Sequence, residues 1–457
     1  MHIYQSSFMK TQKWLTLLLL MLLAQVQGIA QEKTESTYVI RNVTVISPER
    51  DKPVIGTRDV FIKQGKIDTI KKSTKRRPRT KDTEIDGTGK FLMPGLADMH
   101  AHIPAEDAER YLLVNLLAGV TTLRSMRGDT SHITLKEKIA TGKLTGPDLF
   151  ISPPPFSART NIKEHELLGV IAAYKASGYD LLKVLSVPDS SYFEKLMQAA
   201  NAHNMMVAGH APGQVKVSRV IETGYSSIEH LQGLIQVYQH DSTALAPLLA
   251  SLKQNNTYNC PTLDWYFITT GQFSLDELKA RKGLEYVDVS LVEKWIAQAE
   301  SKTQQQSQLN QDSLSQKQEQ MTKDIQAKMR LVKKLHEANA PLLLSPDASA
   351  SFAVPGFNVY EEMNHYSKAG LSNQAILKIA TYNPSAYMGQ QKQWGTIAPG
   401  MKANLLLLSE NPLHSIENVQ HIEAVITHGK YLTIQDLVNR INNLSSSKPV
   451  SKKDAID

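Results

Sequence analysis

His100 and His102 stand one residue apart at the end of Leu92-Met93-Pro94-Gly95-Leu96-Ala97-Asp98-Met99-His100-Ala101-His102. On an extended strand alternate side chains share a face, so the two imidazoles point the same way. Two imidazoles about two residues' rise apart can reach one metal ion. Pro94-Gly95 is a turn signal that starts the strand sharply. A pair of histidines on an exposed strand would look the same over so short a pattern, and the rest of the chain has to decide.

Further groups of ligand type follow, each in or after a strand-like apolar run. Lys183 sits inside Asp180-Leu181-Leu182-Lys183-Val184-Leu185, and His210 ends Met205-Met206-Val207-Ala208-Gly209-His210. His230 ends Ser226-Ser227-Ile228-Glu229-His230, and Asp347 ends Pro341-Leu342-Leu343-Leu344-Ser345-Pro346-Asp347. Singly, a histidine is most often a surface or satisfied core residue, and an aspartate after a strand is often a helix cap. Lys183 is the exception, because a buried ammonium is costly unless it is paired or chemically changed. The order His-x-His, Lys, His, His, Asp at strand ends is hard to produce by chance.

That order resembles the amidohydrolase superfamily, in particular its imidazolonepropionase-like branch with the Xaa-Pro dipeptidases and related carboxypeptidases. The resemblance runs from about Tyr38 to Leu432. Asn42-Val43-Thr44-Val45-Ile46 and Ile85-Asp86-Gly87-Thr88-Gly89-Lys90 are similar to the opening segment of that family. Ala118-Gly119-Val120-Thr121-Thr122-Leu123-Arg124 resembles its second barrel strand. Trp394-Gly395-Thr396-Ile397-Ala398-Pro399-Gly400 and Ile426-Thr427-His428-Gly429-Lys430 resemble its closing segment. Two positions depart from the pattern: Asn404 replaces the usual aspartate of Ala-Asp-Leu, and Ser345-Pro346 replaces the usual Gly-Thr before Asp347.

The resemblance implies two divalent metal ions, with zinc as the default. His100, His102 and Asp347 would hold the first ion, and His210 and His230 the second. Lys183 would carry a carboxyl group from CO2 and bridge the pair, which turns a repelling ammonium into an anionic ligand. Such metals lower the pKa of bound water and polarise a carbonyl, so a bridging hydroxide would attack a C–N bond. Asp347 would take the proton of the attacking water and pass it to the leaving amine. Deaminases of the superfamily carry a carboxamide or carboxylate just after the third histidine and lack the lysine. Here His210 is followed by Ala211-Pro212-Gly213 and Lys183 is present, which favours hydrolysis of a dipeptide or N-acyl amino acid. A lactonase or esterase on the same site and a catalytically silent barrel that only binds are the competing readings.

The remaining histidines, His132, His165, His203, His240, His336, His365, His414, His421 and His428, fall in helical, loop or outer contexts and read as structural or surface groups. Arg124, Arg127 and Tyr266 fall at or just after strand ends, where they could meet a substrate carboxylate as readily as serve the fold.

The elements that must position these groups read as an α/β chain. Eight strand-like runs alternate with helical patterns from Pro94 to about Gln390: Leu96–His102, Thr121–Ser125, Leu149–Ser152, Leu181–Ser186, Met206–His210, Ser227–His230, Thr257–Pro261 and Leu342–Ser345. Eight such units are a (β/α)8 TIM barrel, whose active sites lie at the carboxyl ends of the strands. Short strands over 38–93 and 392–434 are expected to pair in one small β-sandwich, flanking the barrel at 94–391. Long helices are expected between Thr262 and Pro341, read as a polar excursion after the seventh strand rather than a catalytic lid. Residues 435–457 are expected to form a tail, disordered from Asn442.

The chain has 457 residues, a net charge of +7, 41% hydrophobic and 21% charged residues, which suits a globular protein of more than one domain. No basic face with interleaved aromatics appears, so nucleic acid is not an expected partner. The cluster Lys71–Lys81 reads as a solvated loop. Met9–Lys13 supplies positive charge, Trp14–Leu23 an apolar core and Gly28-Ile29-Ala30 a cleavage site, so residues 1–30 read as a signal peptide. The product would be periplasmic or secreted, with no stable membrane span once the signal is removed. Oligomer formation is left open. The single Cys260 rules out an internal disulfide, so the core alone must stabilise the fold.

Overall fold

The computed structural model describes residues 37–74, 82–307 and 311–446. The expected signal peptide and most of the basic cluster lie outside the described residues, as does the tail beyond residue 446. No helix among the described residues is long and apolar enough to cross a membrane.

The chain is an α/β protein. Its first five strands are β1 (Thr37–Ile46), β2 (Val54–Lys63), β3 (Lys66–Lys72), β4 (Thr83–Asp86) and β5 (Phe91–Pro94). Seven short parallel strands follow: β6 (Leu96–Ala101), β7 (Val120–Ser125), β8 (Asp148–Ile151), β9 (Leu181–Val184), β10 (Met206–Gly209), β11 (Ser227–Glu229) and β12 (Tyr258–Cys260). At least one helix separates each strand from the next from β6 to β12, as a parallel ladder requires. The helix Ser190–Ala202 shows how the sequence builds one. Asp189 caps it by accepting the Tyr192 N–H at 2.9 Å, and Tyr192, Phe193, Leu196, Met197 and Ala200 form its buried face. Burying a side chain such as Phe193 is worth about 1.5–3 kcal/mol.

The parallel strands form two ladders, β6-β7-β8 and β9-β10-β11-β12. Hydrogen bonds link their ends. Phe156 N–H donates to the Lys183 carbonyl, Asn259 bridges to Leu342, and Met99 N–H donates to the Leu344 carbonyl. The expected eighth strand, Leu342–Ser345, is reduced to that single bridge. Two of its carbonyls are taken by side chains: Asn383 Nδ2 donates to Leu342 and Tyr366 Oη to Leu343.

The last strands, β13 (Leu405–Leu408), β14 (Ile422–Thr427) and β15 (Lys430–Thr433), join the first five in one mixed sheet of eight. The contact between chain ends is β13 on β5, antiparallel, with Leu405 opposite Pro94. The sheet curls, because Gly65 and Ile67 at its other edge hydrogen-bond the 400–403 segment that leads into β13. Ile40, Val60, Ile62, Leu405, Leu407 and Ile426 fill the space between. Asn404 replaces an aspartate for a physical reason: its Nδ2 donates to Asp148 Oδ2 at 2.9 Å, where a second carboxylate would repel.

Two expectations need correction. Residues 435–446, expected to belong to the tail, lie in a helix, Ile434–Ser446, with Leu437 and Ile441 buried. Ile434, Leu437, Val438 and Ile441 repeat at helical spacing and pack beside the helix Ala108–Leu117. Arg124 is not placed to meet a substrate: it is fully buried, and every N–H of its guanidinium is engaged within the protein. The long helices expected after β12 are present, at Val289–Ser307 and Gln311–Glu337.

Candidate metal centre

The carboxyl ends of the parallel strands bring the sequence-predicted side chains together. His100 lies at the end of β6 and His102 one residue beyond it, their rings stacked 5.3 Å apart. Asp347, after the Leu342 bridge, faces both: its Oδ2 is 3.6 Å from His100 Nε2 and its Oδ1 is 3.4 Å from His102 Nε2. These three supply ligand atoms all within 4.8 Å of one another. His230 follows β11, with its ring 5.0 Å from that of His100 and its Nε2 4.0 Å from Asp347 Oδ2. His210 follows β10, 5.0 Å from the His230 ring. Lys183 lies in β9, paired to Ala208 next door, and is 2% exposed. The Ser345-Pro346 departure does not displace Asp347 from the histidines.

Local sequence explains these positions. His210 N–H donates to the Val184 carbonyl at 2.8 Å, and this close approach needs Gly209, at φ +139°, where a Cβ would overlap that carbonyl. His230, Leu231, Thr262 and Asp347 all adopt positive φ between 52° and 60° without being glycine. Such backbone costs about 1–3 kcal/mol per residue and clusters where geometry is imposed by function.

Partners outside the cluster orient three of the four rings. Glu229 Oε2 lies 2.6 Å from His100 Nδ1, Thr262 Oγ1 is 2.8 Å from His230 Nδ1, and the Leu185 carbonyl is 3.0 Å from His210 Nδ1. Each contact leaves Nε2 turned inward, as metal-binding histidines are typically held. His132 braces the next loop, with Nδ1 3.3 Å from Ser125 Oγ and Nε2 3.2 Å from the Ile103 carbonyl.

Electrostatics favour the forms that bind metal. Burial, then the Lys183 charge, lower all four imidazoles, His102 and His210 to about 4, so they are neutral at pH 7. Burial lowers Lys183 to about 8, against the pull of Glu229 and Asp347. Burial raises Asp347 to about 6. His102 Nε2, Lys183 Nζ and Asp347 Oδ1 are buried without a hydrogen-bond partner. The orphaned His102 Nε2 and Asp347 Oδ1, within 4.8 Å of each other and of His100, fit a bound divalent cation.

Sequence reasoning missed the layer beneath. Glu229 is fully buried between His100 and Arg124, whose Nη2 is 2.9 Å from Glu229 Oε1. Arg124 also donates to the Met99 carbonyl, Ser227, Tyr387 and Cys260. Asp98 Oδ1 accepts the His100 N–H at 2.8 Å. Signals existed: Arg124 is the one charge in its apolar strand, and Glu229 precedes His230 directly. Tyr266 and Trp265 flank His230, the Tyr266 hydroxyl donating to its carbonyl at 3.0 Å.

Residues 91–432 match the model of the amidohydrolase family. The chain belongs to this family. Among solved structures, AH, a bottromycin amidohydrolase, superposes with a TM-score of 0.70 at 21% identity, over 90% of this chain and 89% of that one. A Xaa-Pro dipeptidase with methionine bound in its active site gives 0.64 at 20% identity, over 87% of this chain and 100% of that one. At such identities the likeness is one of fold. A dihydroorotase from Thermus aquaticus is 29% identical over 151 residues, 32% of this chain. This chain therefore spans about a third of the length of that curated relative, 33%. The amidohydrolase family is one of hydrolases of carbon–nitrogen bonds, and His100, His102 and Asp347 form a cluster that could hold a metal ion.

Proposed function

We propose that this amidohydrolase is an exported, binuclear metal-dependent enzyme that hydrolyses the amide bond of a dipeptide or N-acyl amino acid. The observation that carries the reading is the convergence of His100, His102 and Asp347 within 4.8 Å beside His230, His210 and the unpartnered Lys183. The two parallel ladders and the three links between them support a (β/α)8 barrel, and the curled sheet of eight supports a sandwich-like second unit. Export is the sequence reading of residues 1–30.

His100, His102 and Asp347 would hold one ion, His210 and His230 the other, and Lys183 would bridge them. A lysine lowered to about 8 presents more of the neutral amine that reacts with CO2. The new N–C bond yields a carbamate and releases one proton. Bound divalent ions would lower the pKa of water and polarise the substrate carbonyl. Asp347, raised by burial, accepts the proton of the attacking water and delivers it to the departing nitrogen as the C–N bond breaks. Zinc suits the imidazole and carboxylate set.

The test is metal analysis of the purified protein, followed by assay of dipeptides, N-acyl amino acids, lactones and esters. About two ions per chain and amide turnover that disappears on chelation are expected. Turnover of lactones alone, or amide turnover without metal, would overturn the assignment.

A further inference from the structure

The helix Gln311–Glu337 is polar overall but buries one stripe. Ile325, Val332 and Leu335 lie in it, none more than 3% exposed. Their spacing leaves one slot on the same face, and Lys328 fills it. A lysine in an apolar stripe is costly unless its ammonium finds an anion or reaches water along its stem. Lys328 is half-buried and has no ion pair or hydrogen bond among the described residues. Asp324, one turn earlier, acts on the ammonium through space without forming an ion pair, and its carboxylate accepts from the side-chain amides of Gln239 and Gln320.

The ammonium stands instead 4.3 Å from the centroid of the Tyr266 ring. Tyr266 is part of the candidate metal centre's wall. Its ring is 6.5 Å from that of His230 and 5.1 Å from that of Trp265, which is itself 5.7 Å from His230. One aromatic side chain therefore separates an unpaired cation from a residue of the cluster. The helix is pinned there, because Thr322 donates to Gln272 at 3.1 Å and Gln239 donates to Asp324 at 3.2 Å. A cation held over an aromatic face and short of an anion is suited to a carboxylate ligand.

We infer that Lys328 is a specificity-determining residue, whose ammonium binds a carboxylate of the substrate, so that the helix inserted after β12 selects anionic amides. This rests on the proposed amide hydrolysis and names its substrate class. Arg127, exposed just after β7 and close enough to act on the His102 charge, is the rival cation.

The experiment compares N-acetyl amino acids with the same acetyl amides of the decarboxylated amines, using metal-loaded full-length protein. Lys328→Met keeps the stem and removes the charge; Lys328→Arg restores it. Wild type should favour the carboxylate member. Lys328→Met should lose roughly ten- to a hundredfold more kcat/KM on that member than on its neutral analogue, mainly through KM. Lys328→Arg should recover part of the preference. Calorimetric binding of the N-acetyl amino acids, without reference to turnover, should weaken in the same order. A preference intact in Lys328→Met, or lost in Arg127→Met instead, overturns the inference. If wild type hydrolyses neither member, amide hydrolysis fails as a reading. The binding series then still decides whether Lys328 holds the carboxylate.

Discussion

Glu229 and Glu362 are both fully buried glutamates, yet their surroundings drive them to opposite charge states. Burial works against ionisation in each. At Glu229, Arg124 and then His100 outweigh it and hold the carboxyl well below the usual range. At Glu362 the nearby cation is spent elsewhere: Arg281 pairs with Asp264 at 2.6 Å. Glu362 accepts the Asp264 N–H at 2.8 Å, keeps one oxygen unpartnered, and is raised to about 8, first by burial and also by the Asp264 charge. The first cluster preserves charge next to the candidate metal centre. The second keeps a neutral acid in the packing between the helices Leu263–Thr269 and Asn358–Lys368.

If charge in the first cluster serves metal chemistry, removing Lys183, the proposed bridge, should have the largest effect. Lys183→Ala should abolish turnover, with partial recovery in short carboxylic acids supplied with bicarbonate. Intact-mass measurement of active, metal-loaded protein should show the added mass of CO2. An unmodified lysine in such a sample would refute the carbamate. Asp347→Asn should be next. It keeps an oxygen ligand but loses the base, so metal content should stay near normal while kcat falls by roughly two or more orders of magnitude. Most of the turnover surviving with metal in place would move the proton shuttle elsewhere.

Much of the inner cluster was legible in the sequence because strand periodicity is short. His-x-His needs only period two, and His210, His230 and Asp347 each close an apolar run. The supporting layer was not legible. Arg124 and Glu229 are 105 residues apart, and neither strand alone announces a partner. Arg124 lies on β7 and Glu229 on β11, strands of different ladders, so no pairing between neighbouring strands announces the contact. The eighth strand was also not legible: Leu342–Ser345 has strand composition, but Asn383 and Tyr366 take two of its carbonyls from outside the segment. The helix Ile434–Ser446 was readable from its spacing and was hidden by the polar residues that fill its other face.

The support layer can be broken from either side. Arg124→Met leaves Glu229 as a buried anion with no ion pair to a guanidinium, held by His100 and the Ser227 hydroxyl. Breaking a buried pair this way costs about 3–5 kcal/mol, which a urea midpoint would register. Glu229→Gln removes the anion and keeps the shape. Stability should fall less, but the carboxylate that orients His100 is gone, so metal affinity should drop roughly ten- to a hundredfold by competition with a chelator. Equal stability losses in the two variants, with metal affinity unchanged, would mean that this pair serves only packing.

The smallest effect is expected at Glu362, and its sign is the sharpest check on the comparison. A carboxyl raised to about 8 in the folded chain, against 4.5 for the ordinary group, binds its proton more tightly when folded. Between those two values the native state carries more protons than the unfolded one, so stability falls as pH rises across that window. Below about 4.5 both states are protonated, and above about 8 both are ionised, so the slope vanishes at either end. Glu362→Gln cannot titrate and should resemble the neutral acid. Its melting temperature relative to wild type should therefore be near or slightly below parity at pH 5 and should rise toward pH 8, by the equivalent of a few kcal/mol at most. The buried Arg124–Glu229 pair gives no such gain on neutralisation, because there the ionised form is the one the fold holds. A Glu362→Gln variant whose stability relative to wild type stays flat between pH 5 and 8 would mean that Glu362 is ionised in the native protein, and the contrast between the two glutamates would collapse.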